Sequence, residues 1–240
     1  PDNSLFCTFL TGGPTEPHND NVVVAVTSDD DGMTWSQPIT LFKHSARGLW
    51  STELFTEATR PILFIHTYDA PTRYREITSF MTTTADSGKT WSEPVSLPSG
   101  VSHVSVRQGI VLSSGAWLFP VYWQDVLSHW DWIAEPIHNG FQMAWPTRCG
   151  VIITNDCGNH FTLHGDLRAD NLLFENNVIE VEPGHLVMLI RAHYAGCLYR
   201  SDSYDAGVTW TEARPTTIEN PSSKLSLTKE IGRASCRERV

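Results

Sequence analysis

Three acids stand where a proton could be given or taken: Glu16, Asp20 and Glu175. Arg73, Arg107 and Arg191 offer guanidinium groups to an anion, while Tyr68 and Trp130 offer rings against which a ligand could lie. A positioned carboxyl group is a general acid or base. A planar guanidinium grips a carboxylate with two charge-assisted bonds, and an aromatic ring gives a broad apolar face with a polar edge. The rest of the chain limits what such a site could meet. Its formal net charge is -10 and its pI about 5.4, which argues against nucleic acid or an anionic membrane as partner. Any anionic ligand must therefore be met by a few local arginines. No apolar run approaches the ~20 residues that span a bilayer, so the chain reads as soluble. Cys7, Cys149, Cys157 and Cys197 match no zinc or redox spacing, no residues have metal-ligand spacing, and no cofactor is expected. Oligomeric state stays open.

The elements that position these groups are announced by a repeat. Ser28-x-Asp30-x-Gly32-x-Thr34-Trp35 is followed by Thr84-x-Asp86-x-Gly88-x-Thr90-Trp91, by Thr154-x-Asp156-x-Gly158-x-His160-Phe161, and by Ser203-x-Asp205-x-Gly207-x-Thr209-Trp210. The aspartates are 56, 70 and 49 residues apart, close to one propeller blade each with an insertion in the third. In such a turn the carboxylate accepts backbone N–H bonds, glycine supplies a positive φ, and the hydroxyl and indole pin the hairpin to its blade. One copy would say little, whereas four in register predict an all-β chain.

Each box follows a short strand and precedes another, which places it between the third and fourth strands of a blade. The first two strands are expected upstream as a hairpin: Ile110–Leu112 with Trp117–Tyr122, and Val178–Val181 with Leu186–Ile190. The first blade lacks its innermost strand, and a fifth begins at Asn220–Leu227. Strand alternation then sends the loops with acids, arginines and extra tryptophans to the face opposite the boxes. Arg107 stands eight residues before its hairpin glycine and Glu175 nine, so both are expected to point to the same central funnel. At the ends, Pro1 opens without a Met, and Glu230–Val240 (EIGRASCRERV) breaks from the β pattern and reads like a translated sequencing adapter. The propeller part is therefore taken as residues 1–229, and a signal peptide stays open.

Asp-boxes in four-stranded blades resemble those of the sialidase family of six-bladed β-propellers, here truncated to about four blades. The stretch from Glu175 through Asn176, Asn177 and Gly184 to Arg191 is similar to the sialidase segment in which a catalytic Glu precedes a hairpin whose second strand ends on a carboxylate-binding Arg. Gly12–Asp20 resembles the loop that carries the family's acid/base aspartate, with Glu16 in its place and Asp20 beside it. The resemblance implies an exo-glycoside hydrolase that cleaves terminal sialic acid or a related acidic sugar, in a secreted or periplasmic setting. Glu175 would take the proton of a tyrosine nucleophile, Glu16 or Asp20 would protonate the leaving oxygen, and Arg191 would hold the sugar carboxylate. Arg107, Tyr68, Arg73 and Trp130 are the expected further substrate contacts. The remaining two arginines and the tyrosine nucleophile are expected outside residues 1–240, so these residues alone are expected to be inactive.

Blander readings accompany each residue. Glu175 could end a loop, Arg107 and Arg191 could form structural ion pairs, Glu16 and Asp20 could be solvated acids, and the Trp130 insertion could be a packed flap. His103, His185 and His193 keep a polysaccharide lyase or rhamnosidase-like enzyme in view, and a non-catalytic glycan-binding Asp-box module is a third class.

Overall fold

In the computed structural model, residues 4–15, 18–69, 77–124, 147–230 and 233–238 are described, and their regular elements are all β-strands. The first sheet is formed by β1 (Leu5–Thr11), β2 (Val22–Ser28) and β3 (Ile39–Phe42), and the second by β4 (Gly48–Phe55), β5 (Ile62–Tyr68), β6 (Thr78–Thr83) and β7 (Val95–Ser96). In the third, β8 (Ser105–Val106) and β9 (Ile110–Val111) both pair with β10 (Trp117–Gln124), which is followed by β11 (Thr147–Thr154) and β12 (Thr162–Leu167). The fourth contains β13 (Leu173–Glu182), β14 (His185–Ala192), β15 (Cys197–Ser203) and β16 (Arg214–Glu219). A last hairpin pairs β17 (Leu225–Glu230) with β18 (Arg233–Glu238), so residues that break the sequence pattern are nonetheless extended and paired. Neighbours in every sheet are antiparallel and follow chain order. This is the up-and-down connection of a propeller blade.

Two compact units divide the chain, one reaching to Leu97 and the other beginning at Pro98. In the first, Val23, Leu49, Leu63 and Ile65 form a buried cluster joined by Leu10, Phe42 and Trp91. In the second, β13 packs against β10 and β11 on one side and β17 on the other.

The boxes join the last two strands of each of the first four sheets, as the repeat predicts. Their hydroxyl and carboxylate bonding recurs each time, and the indole bond recurs in the three boxes that end in tryptophan. In the first, Gly32 N donates to Ser28 Oγ at 2.9 Å, Thr34 N and Oγ1 donate to the two oxygens of Asp30 at 2.8 and 2.6 Å, and Trp35 Nε1 donates to Gly32 O at 3.1 Å. In the third box His160 takes the threonine's place and its ring nitrogen meets Asp156. These bonds favour the charged carboxyl: the Thr90 side chain and then its backbone N–H bring Asp86 down to about 2, and His160 does the same for Asp156. The box glycine does two jobs. Gly207 has φ 95°, and a Cβ there would lie 2.9 Å from Leu118 and 3.2 Å from Ile153 and Leu186, so side chains of the third and fourth sheets close over it. The residue before each glycine, Asp31, Ser87, Cys157 or Ala206, is also left-handed, with φ between 56° and 59°.

Candidate functional site

The site residues of the second unit are placed by one irregularity. β13 pairs with β14 from Leu173↔Ala192 and Phe174↔Arg191, then resumes at Asn177↔Leu189, so one extra residue is inserted around Glu175. Glu175 has φ 43°, a conformation that costs a non-glycine residue about 1–3 kcal/mol and is found where a bulge re-aims a side chain. The expected hairpin strand began at Val178. In the structure it runs back to Leu173, and Glu175 lies inside it.

The re-aimed carboxylate meets Arg191: Nη1 donates to Glu175 Oε2 at 2.7 Å, with the two side chains 24% and 17% exposed. Arg191 Nε donates to Ser222 Oγ at 3.3 Å, and Ser222 Oγ lies 3.4 Å from His193 Nδ1. The ring of Phe174 stands edge-on to both Tyr122 and His193 at centroid distances of 5.9 Å. The structure thus brings together Glu175 and Arg191, the two residues placed sixteen apart in the sequence.

Arg107 joins this group by way of Tyr122. It falls in the gap between β8 and β9, is buried, and donates its backbone N–H to Pro120 O at 2.8 Å. Tyr122 is buried as well; its phenol is pushed far above the usual tyrosine range by burial first and then by the negative charge of Glu175, with Arg107 and Arg191 opposing. It is therefore a protonated hydrogen-bond donor at neutral pH. Tyr122 was missed because it ends a run, Leu118–Tyr122, that reads as packing. One signal could have found it. Trp117 pairs with the first box residue Thr154 as Leu186 pairs with Ser203, so Tyr122 and Arg191 occupy the same level, five residues on.

In the first unit the structure describes two of the expected site residues, Tyr68 and Asp20. Tyr68 is fully buried at the end of an entirely buried strand, and its hydroxyl donates to Asn21 Oδ1 at 2.7 Å while accepting His18 N at 2.8 Å. Its hydroxyl thereby ties the end of β5 to the loop before β2. Asp20 is exposed in that loop, 3.5 Å from His18 Nδ1, and its backbone N–H donates to the same ring nitrogen at 3.1 Å. The loop borders a cavity of about 290 Å³ lined by Leu10, Thr11, Gly12, Asn21 and Leu49 among others. Glu16, Arg73 and Trp130 lie outside the described residues. Among the described residues no three His, Cys, Asp or Glu side chains gather as a metal site. Cys7, Cys149, Cys157 and Cys197 are free thiols, that of Cys149 raised well above its usual pKa by burial. His185, 3.0 Å from Asp202 and stacked on Tyr204 at 4.5 Å, belongs to an outer cluster on β14 and β15.

A sialidase of Bacteroides fragilis (strain YCH46) is 27% identical over 157 residues, 62% of this chain and 24% of its own length. A sialidase of Clostridium perfringens is 25% identical over 218 residues, 80% of this chain and 53% of its own. The chain thus spans about a quarter of one curated relative and half of the other. The solved structure of the Hadza microbial sialidase Hz136 superposes with a TM-score of 0.69 at 18% identity, covering 94% of this chain and 47% of that one, so the fold is that of a sialidase β-propeller. Residues 3–234 match the BNR repeat-like domain, and with four Asp-box turns, blade-ordered antiparallel sheets and that likeness in place, the chain belongs to the BNR repeat-like family of the sialidase superfamily.

Proposed function

We infer that the chain is part of a sialidase-like exo-glycoside hydrolase acting on a terminal sialic acid or a related acidic sugar. One observation supports this most: the Glu175–Arg191 pair at the left-handed bulge of β13, whose charges act, with that of Arg107, on Tyr122. A sugar with a carboxylate at its anomeric carbon repels a carboxylate nucleophile, which favours a neutral nucleophile with a carboxylate base behind it. In this reading Glu175 is that base. Arg191 is already oriented by Glu175 and Ser222, so it meets the sugar carboxylate preorganised. Glu16 is the leaving-group acid with Asp20 as the alternative, and Arg73, Arg107 and Trp130 are further sugar contacts.

The test is release of free sialic acid from a sialyl-lactose substrate by the complete reading frame and by the 240 residues alone. Activity is expected only in the first. No release by the complete frame would end the reading. A second reading, a lyase acting on a uronate, draws support from His193 and Tyr122, both packed against Phe174. It predicts a product absorbing as an unsaturated uronate.

A further inference from the structure

We propose that Asn176 and Asn177 are positioning residues that clamp the bulge of β13 from its two sides and select the one register in which Glu175 meets Arg191. The proposal deepens the reading of Glu175 as a catalytic base and rests on it for its consequence in turnover. Asn176 is fully buried and donates through Nδ2 to Gly150 O of β11 at 2.9 Å, in the sheet on one side. Asn177 is also buried and donates through Nδ2 to Leu225 O of β17 at 3.0 Å, on the other side. Consecutive residues of one strand are thus tied to opposite neighbours.

Such ties are needed because a bulge can migrate. Strand side chains alternate with a period of two, so moving the extra residue one place exchanges which side chain faces which neighbour. The left-handed φ of Glu175 is a standing reason to move, since a slipped register would relieve it. The two amides oppose the slip: it would draw a donor away from the Gly150 or the Leu225 carbonyl and turn the Glu175 charge toward a packed interface. Asn176 also carries a cost that packing alone would not explain. Among the described residues its buried Oδ1 has no hydrogen-bond partner. Turning the amide over would set Oδ1 against the Gly150 carbonyl oxygen, so the donor at that place is what the residue supplies.

Crystals of the chain, of Asn177→Ala and of Asn176→Ala test the clamp directly. The extra residue is expected to shift along β13 in each variant, with Glu175 leaving hydrogen-bond reach of Arg191. In the complete reading frame, turnover of a fluorogenic sialoside is expected to fall ~10²-fold in kcat, the scale of a small misplacement, with a smaller change in KM because Ser222 and the β14–β15 ladder still hold Arg191. Asn177→Asp keeps the shape and donates only when protonated, so its kcat relative to the parent should recover toward acid pH. That variant, crystallised at acid and neutral pH, also stands in should an alanine variant fail to fold. Folded variants that keep the bulge and the ion pair in place overturn the proposal, whatever their activity. A shifted bulge together with an unsubstituted complete frame that releases no sialic acid leaves the clamp standing and removes the catalytic reading instead.

Discussion

The second and fourth sheets insert one extra residue at the same level of their first strands and give it different side chains. In β4 the pairing jumps from Trp50↔His66 to Thr52↔Ile65, and the inserted Ser51 has φ 46°. In β13 the jump follows Phe174↔Arg191, and Glu175 has φ 43°. Each inserted residue meets the second-strand residue five places beyond the box level, His66 or Arg191. Ser51 Oγ lies 3.0 Å from His66 Nδ1, and Glu175 Oε2 lies 2.7 Å from Arg191 Nη1. His66 is fully buried, so the Ser51 pair is closed off from solvent, whereas the Glu175 pair joins two charged groups and is partly open to it. The bulge is thus a repeated backbone device of the blade. Its side chain decides whether the bulge carries a hydrogen bond closed off from solvent or a charged pair partly open to it.

The largest expected effect separates the two bulges by function. Glu175→Gln should lower sialoside turnover by the complete reading frame by ~10³-fold, the scale of losing a general base, while Ser51→Ala should change it by less than about twofold. Comparable losses in both variants would make the bulge a stability element in each sheet and remove the distinction.

A stability comparison comes next. Arg191→Leu leaves the Glu175 carboxylate partly buried without its cation and should cost about 2 kcal/mol, between the worth of an exposed pair and that of a fully buried one. Ser51→Ala removes one hydrogen bond to His66 and should cost about 1 kcal/mol. Urea unfolding midpoints at constant m read both.

A third test concerns the other repeated device, the boxes. Their four aspartates all titrate below the ordinary 3.8, Asp86 and Asp156 at about 2. A depressed folded pKa stabilises fully above the unfolded value and is lost as pH falls through the folded one. Circular dichroism should therefore show stability draining between about pH 4 and pH 2. Asp86→Asn should flatten that part of the curve, and an unchanged slope would show that other carboxylates govern acid unfolding.

The boxes were legible because everything they need lies within eight residues: hydroxyl, carboxylate, glycine and, in three of the four, indole bond to one another. The left-handed residue before the glycine was not, since Asp31, Ser87, Cys157 and Ala206 share no side-chain chemistry and only the backbone demands the conformation. The bulges were hidden for a similar reason. Leu173–Glu182 reads as a loop followed by a strand because Glu-Asn-Asn interrupts the alternation, and the donors that steady it reach Gly150 and Leu225, 26 and 48 residues away in sequence. Tyr68 looked available because tyrosine carries a polar handle, yet it closes a strand buried along its whole length.

The smallest expected effect tests whether the two bulges hold the same strain. Alanine at either site keeps a Cβ in the left-handed region, and glycine removes that penalty while adding unfolded-state freedom. If φ 43° and φ 46° are native to both, Glu175→Gly should be more stable than Glu175→Ala by about 1 kcal/mol, and Ser51→Gly more stable than Ser51→Ala by a similar amount. Equal increments would mean that the blade imposes the conformation and the side chain only exploits it. An increment at Ser51 alone would mean that the Glu175–Arg191 pair itself drives Glu175 into the left-handed region, because the pair is absent from both Glu175 variants and the strain would go with it.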